Sequence, residues 1–308
     1  MSVATAVTRR AVQGTRPTEI CPGRLWSLGG CISAGYPPSW MAPRSRGWLP
    51  VQCYGLRDGE HFVLIDTGLV GHGETIRAGL AELTRGTRNR HVMLTRREPD
   101  TMMNLPWIVR EFGIHSIRCC GPIDPFDLVE RLDEAHTSSD VKAAFGISVD
   151  FLTPNSRTTY DSMSLEIMRP GIRILATDWM YESSTRTLFC SDLWGFVTRE
   201  SIEQPVILDR DGDCLSTEAI EDHLLAKFDW LCGIDTAPIA AGVSDVLARY
   251  QVDRLAPSYG CIIEGQELVE RVVARTLQAL ERLAARPRPR PMGDFSWLPT
   301  AAGARSAT

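Results

Sequence analysis

Apolar and polar positions along the chain fall into two patterned blocks. Leu49 to Leu56 and His61 to Ile65 are apolar segments joined across Arg57-Asp58-Gly59-Glu60, whose Asp-Gly step predicts a hairpin. The second strand runs directly into Asp66-Thr67-Gly68. Glu74 to Leu83 has helical spacing, with Ile76, Leu80 and Leu83 on one face. His91 to Thr95 reads as a short strand, Asn104 to Phe112 as a helix stopped at Gly113, and Ile114 to Cys120 as strand again. The polar stretch from Asp124 to Gly146 predicts broken helix. A second block of strands follows at Ile147 to Thr153, Ser164 to Met168, Ile172 to Tyr181 and Arg186 to Cys190. Helices are expected over Glu218 to Trp230, Ala237 to Tyr250 and Gln266 to Ala285, with a strand at Arg254 to Ala256. The pattern predicts an α/β domain over 24–285, an N-terminal arm over 1–23 and a tail over 286–308. Alternating Arg and Pro from Arg286 to Pro291 excludes helix there, because each proline removes a donor and favours polyproline II.

Composition narrows the picture. A formal charge of −5 gives no reason to expect a nucleic-acid partner or an anionic membrane surface. No apolar run approaches the ~18 residues that span a bilayer. The N-terminus lacks the apolar stretch of a signal peptide, so a cytoplasmic, reducing setting is expected. The nine cysteines are scattered without a CxxC pair, which predicts buried free thiols and neither zinc ribbon nor disulfide framework. Basic charge is almost all arginine, Lys142 and Lys227 being the only lysines.

Four dispersed segments, each at a strand-to-loop junction, carry a resemblance. They are Val63-Leu64-Ile65-Asp66-Thr67-Gly68, Thr95-Arg96-Arg97-Glu98-Pro99-Asp100-Thr101 before Asn104-Leu105-Pro106, Tyr181 to Asp192 ending in Leu188-Phe189-Cys190-Ser191-Asp192 with Leu193-Trp194-Gly195 after it, and Ala256-Pro257-Ser258-Tyr259-Gly260. In this order they resemble the metallo-β-lactamase superfamily, in its flavodiiron and oxygen-sensor-like branch. The resemblance covers roughly Leu25 to Ala285 and implies an αββα four-layer sandwich. Flavodiiron proteins carry a flavodoxin domain after this one; too little chain follows here, so no built-in flavin site is expected.

The resemblance also implies a changed site. The family's histidine positions fall on Arg96, Thr101, Arg173 and Tyr259, while the acids Glu98, Asp100 and Asp192 remain at vestigial metal positions. His61, His72, His91, His115, His136 and His223 match none of them; His72, on the loop after Asp66, is the one best placed to face the site. A guanidinium has no lone pair for a metal but matches carboxylates bidentately. Arg96 and Arg173 are therefore expected to pair with some of the three acids, with no metal or other cofactor; di-iron or zinc in a carboxylate site is the alternative. If the cleft is catalytic, Asp66, Glu98 and Tyr259 are the acid–base candidates. Arg96, Arg173 and Trp194 are the candidates for holding a small, anionic ligand. The rival expectations are a metal-dependent hydrolase or di-iron oxidoreductase, and a non-catalytic scaffold or binding subunit, with a homodimer as the arrangement such relatives suggest.

Overall fold

A computed structural model describes residues 13–35, 38, 40–121, 123–129 and 146–287. Two seven-stranded sheets form its middle. The first contains, in spatial order, β1 (Gln13–Cys21), β2 (Leu25–Ser33), β3 (Trp48–Asp58), β4 (His61–Ile65), β5 (Asn89–Leu94), β6 (Ser116–Cys119) and β7 (Ser148–Phe151). The second contains β8 (Arg157–Tyr160), β9 (Met163–Met168), β10 (Trp179–Glu182), β11 (Thr187–Ser191), β12 (Ile207–Leu208), β13 (Arg254–Pro257) and β14 (Ile262–Glu264), in the order β12-β14-β13-β11-β10-β9-β8.

The central strands of each sheet are buried on both faces. Tyr54, Val63, Ile65 and Met93 of the first sheet meet Leu165, Ile167, Met180 and Phe189 of the second in a shared core. The other face of the first sheet packs under α1 (Gly73–Leu83), α2 (Pro99–Met102) and α3 (Leu105–Phe112), with the short α4 (Phe126–Val129) beside them. The outer face of the second lies under α5 (Thr217–Lys227), α6 (Ala237–Arg249) and α7 (Gln266–Ala284). Strands covered on two sides read as continuous apolar runs, which explains Phe62-Val63-Leu64-Ile65 and Thr187-Leu188-Phe189-Cys190. In α7, Leu268, Val269, Val272, Val273, Ala279, Leu280 and Leu283 are buried at three- and four-residue steps. Each such Val or Leu side chain contributes roughly 1.5–3 kcal/mol by leaving water. The architecture is the expected four-layer αββα sandwich.

Several boundaries differ from expectation. Residues 13–21, assigned to the arm, are strand β1, paired antiparallel with β2 through a register shift between Thr15 and Thr18. Their polar lettering suits an outer strand. The strand expected from Ile172 begins only at Trp179; the preceding loop forms an isolated bridge, Arg96 to Thr177, just beyond β5. Strands β8 and β14, four and three residues long, were not anticipated because so short a run shows no period. The helix expected to reach Trp230 ends at Lys227, followed by a 3-10 turn over Asp229–Leu231. Most of the tail (288–308) and most of the polar stretch (130–145) lie outside the described residues.

Candidate functional site

Parallel pairing brings the four motifs to one edge. β4 and β5 run parallel in the first sheet, as do β11 and β13 in the second, so their C-terminal ends open on the same side. Asp66, Arg96, Asp192 and Tyr259 each leave one of those ends. The two sheets are tied there by the Gln52 amide donating to the Ser258 carbonyl at 2.8 Å and by a bridge between Val51 and Tyr259. Asp66 and Ser191 adopt left-handed backbone, with φ of 59° and 56°, as does Trp194 at 63°. Such conformations cost free energy in non-glycine residues and persist where the surroundings over-determine them.

Arg96 occupies the centre and is fully buried. Its Nη1 donates to Ser191 Oγ at 2.8 Å and Ser258 Oγ at 3.0 Å, and its Nη2 donates to Asp100. Nε lies 3.3 Å from Glu98 Oε2 and 3.4 Å from Asp192 Oδ1. All three acids thus surround one guanidinium. Burial alone would lower the arginine pKa, but Asp100, Asp192, Tyr259 and Glu98 together hold it well above its ordinary value.

Asp192 has two further partners. Lys227, the last residue of α5, places Nζ 3.2 Å from Asp192 Oδ1 and 3.9 Å from Glu98 Oε2. The Tyr259 hydroxyl donates to Asp192 Oδ1 at 2.8 Å. Burial pushes the Asp192 carboxyl up, but Arg96, Lys227 and the tyrosine bond outweigh it and leave the pKa below the usual range. Trp40 packs on Tyr259 with ring centroids 4.3 Å apart and planes tilted by 32°, and the Lys227 ammonium sits 5.5 Å from the Trp40 ring centre. These rings cap the cluster; only the edges of Glu98 and Asp100 reach solvent, at 21% and 15% side-chain exposure.

The other candidates divide sharply. Asp66 is buried, accepting from the Thr95 amide at 2.8 Å and Ser258 Oγ at 2.9 Å. Its pKa is raised to about 6 by burial, against the lowering influence of Arg96 and these bonds. It fixes the loop and touches no open space. Thr101 belongs to a capping box at the start of α2, its Oγ1 accepting from the Glu98 amide at 3.1 Å.

Two expectations fail. Arg173 is exposed and donates to the Pro170 carbonyl at 2.7 Å; it pairs with none of the three acids, because the loop carrying it runs along the surface before β10 begins. Trp194 is no pocket wall. Its ring is fully buried against Trp179 (5.6 Å between centroids), and its Nε1 donates to Thr276 Oγ1 of α7 at 2.9 Å. His72 is buried near Cys31, and burial lowers its pKa to about 4. The Cys190 thiol is buried with its pKa pushed well up, which makes it unreactive.

The second cation of the centre is therefore Lys227, and the sequence motifs did not point to it. Its rarity was the available signal: it is one of two lysines in a chain with 33 basic residues. Trp40 also escaped notice, and Ser191 and Ser258 were read only as parts of their motifs, since nothing in a loop tryptophan or a serine announces a partner far along the chain.

This geometry, with an αββα sandwich and acids at the strand ends, is the metallo-β-lactamase fold. Solved structures with the same fold include flavodiiron proteins. A flavoprotein from Thermotoga maritima is 15% identical with a TM-score of 0.61, over 88% of this chain and 62% of that one. The rubredoxin:oxygen oxidoreductase of Desulfovibrio gigas is 14% identical with a TM-score of 0.58, over 86% and 62%. A metallo-β-lactamase from Pontibacter korlensis is 16% identical with a TM-score of 0.53, over 87% and 99%. The chain thus spans about three fifths of the flavodiiron chains, and at these identities the likeness is one of fold. No family model and no curated protein matches the sequence.

Proposed function

We propose that this is a metal-independent protein of the metallo-β-lactamase fold, acting as a binding or scaffold subunit. In it Arg96 and Lys227 neutralise the acids that a metal pair would otherwise bridge. The observation that carries the reading is Arg96 itself, fully buried and in contact with Glu98, Asp100 and Asp192 at once. Metal ions need donors with lone pairs, and neither a guanidinium nor a lysine ammonium at an ion-pair distance supplies one. Two fixed positive charges would also repel an entering divalent cation. Among the described residues, no three His, Cys, Asp or Glu side chains are grouped to hold a metal ion. The donor set does not fit a di-iron or zinc pair.

The same geometry argues against an anionic ligand at this centre. Every nitrogen of Arg96 faces an acid or a hydroxyl of the protein, and Arg173 is elsewhere. Asp66 and Tyr259 are sealed from solvent, which removes them as acid–base groups in this conformation. One feature supports a second reading, conversion of a small molecule by Glu98. Its carboxylate keeps an exposed edge beside Lys227.

Titration of the purified chain with zinc and with ferrous iron tests the main reading, alongside a variant carrying Arg96→His, Thr101→His and Tyr259→His. The parent is expected to bind neither metal and the variant to gain affinity. Stoichiometric binding by the parent would overturn the proposal. A turnover of any test ester or amide that Glu98→Gln abolishes would favour the second reading.

A further inference from the structure

A different cavity lies on the β1–β2–β3 side of the molecule, separated from the Arg96 centre by Gln52. It encloses about 210 Å³ and is lined by Thr18, Ser27, Gln52, Arg199, Glu203 and Gln204 among others. A water needs only ~10–15 Å³ by this measure, so the space admits a ligand of several heavy atoms. Gly29 and Gly30 supply a wall without side chains, and the register shift in β1 opens the edge beside Thr18.

The cavity contains a charge imbalance. Arg199 is only 7% exposed, yet among the described residues it forms no ion pair with a carboxylate. Its Nη1 donates to the Gln204 carbonyl, its Nη2 contacts the Cys31 thiol, and its Nε has no hydrogen-bond partner. An isolated buried charge is costly unless it is paired. The backbone holds Arg199 in place: its amide and carbonyl exchange bonds with Trp48 at 2.8 and 2.7 Å. Gly47 packs so tightly there, at φ 76°, that a Cβ would meet the Arg199 carbonyl oxygen at 2.1 Å. Gln52 cannot itself serve a ligand fully, since it accepts from Ser27 Oγ and donates to the Gly260 carbonyl, both at 2.6 Å.

We propose that this cavity binds a small monocarboxylate, with Arg199 as its counter-ion. The ligand is expected to carry a single charge for two reasons. Arg199 is the one cation among the described residues lining the cavity, and each of its terminal nitrogens already has one partner within the protein. Glu203, exposed at the rim, is the only other charged residue among the described residues lining the cavity, and it opposes a second negative charge. The site is independent of the metal-free reading of the Arg96 centre.

Calorimetric titration of the full chain at low ionic strength with acetate, propionate and inorganic phosphate is the test. Saturable binding of a monocarboxylate, tighter than phosphate, is expected, together with a rise in apparent Tm. Arg199→Met should abolish it. Glu203→Gln, at an exposed position that leaves the fold undisturbed, should tighten it about two- to five-fold, as expected for removing an exposed like charge. No saturable binding of either carboxylate, phosphate bound more tightly, or an affinity unaltered in Glu203→Gln would each overturn the assignment. The last comparison stands even if Arg199→Met does not fold.

Discussion

Among the described residues two arginines are buried, and they stand in opposite situations. Arg96 lies among Glu98, Asp100 and Asp192, and two serine hydroxyls accept from its Nη1. Arg199 has a carbonyl and a thiol, beside a cavity. The first is a compensated charge whose neighbours depend on it. The second is a charge whose neighbours do not need it. Burial of an arginine is therefore silent about its role until its counter-ions are counted.

The sharpest way to break this comparison is to remove each guanidinium. Arg96→Met leaves three acids against Lys227 alone, and a loss of about 3–5 kcal/mol is expected in urea unfolding, as for other buried pairs stripped of one partner. A loss below about 1 kcal/mol would show that the network is not what holds the strand ends together. Tyr259→Phe removes one charge-assisted bond to Asp192 and should cost about 1.5–3 kcal/mol.

Acid sharpens the picture through signs that differ between groups. Burial depresses His72, His91 and His223 to about 4, so the unfolded chain takes up their protons first and stability falls as pH drops from 6.5 toward 4. Asp66, raised to about 6, works the other way: the folded state binds its proton first, so its contribution improves as pH falls from 6 toward 3.8. Asp66→Asn should therefore make the loss between pH 6.5 and 4 steeper than in the parent, as read from urea midpoints at each pH. An unchanged slope would mean that Asp66 titrates normally. The depressed Asp192 contributes stability that disappears only as pH falls below its ordinary value of 3.8 through its lower folded pKa. The smallest change is expected at Arg199→Met, within about 1 kcal/mol of the parent in urea unfolding, because the lost hydrogen bonds are offset by removal of an unpaired buried charge. A cost equal to that of Arg96→Met would erase the distinction between the two sites.

Much of the fold was legible in the sequence because its strands end in recognisable loops. Asp66-Thr67-Gly68 and Ser191-Asp192 mark strand ends whose backbone must turn left-handed, and such turns restrict the residues that fit. The centre was legible as far as local segments reach: Arg96 with Glu98 and Asp100 are within four residues. Lys227 and Trp40 were not, since they arrive from a helix end and a loop with no local pattern linking them to β5 or β11. Arg173 and Trp194 mislead for a related reason. Position along a motif says which loop carries a residue, while orientation is decided by packing, and α7 draws Trp194 into the core through Thr276.

The central claim is that protein cations stand where metals would bridge the acids. Elemental analysis of protein purified without chelator tests it most directly. Iron and zinc far below one equivalent per chain are expected; about two equivalents of either, as a dimetal centre requires, would show that the acids hold metal after all.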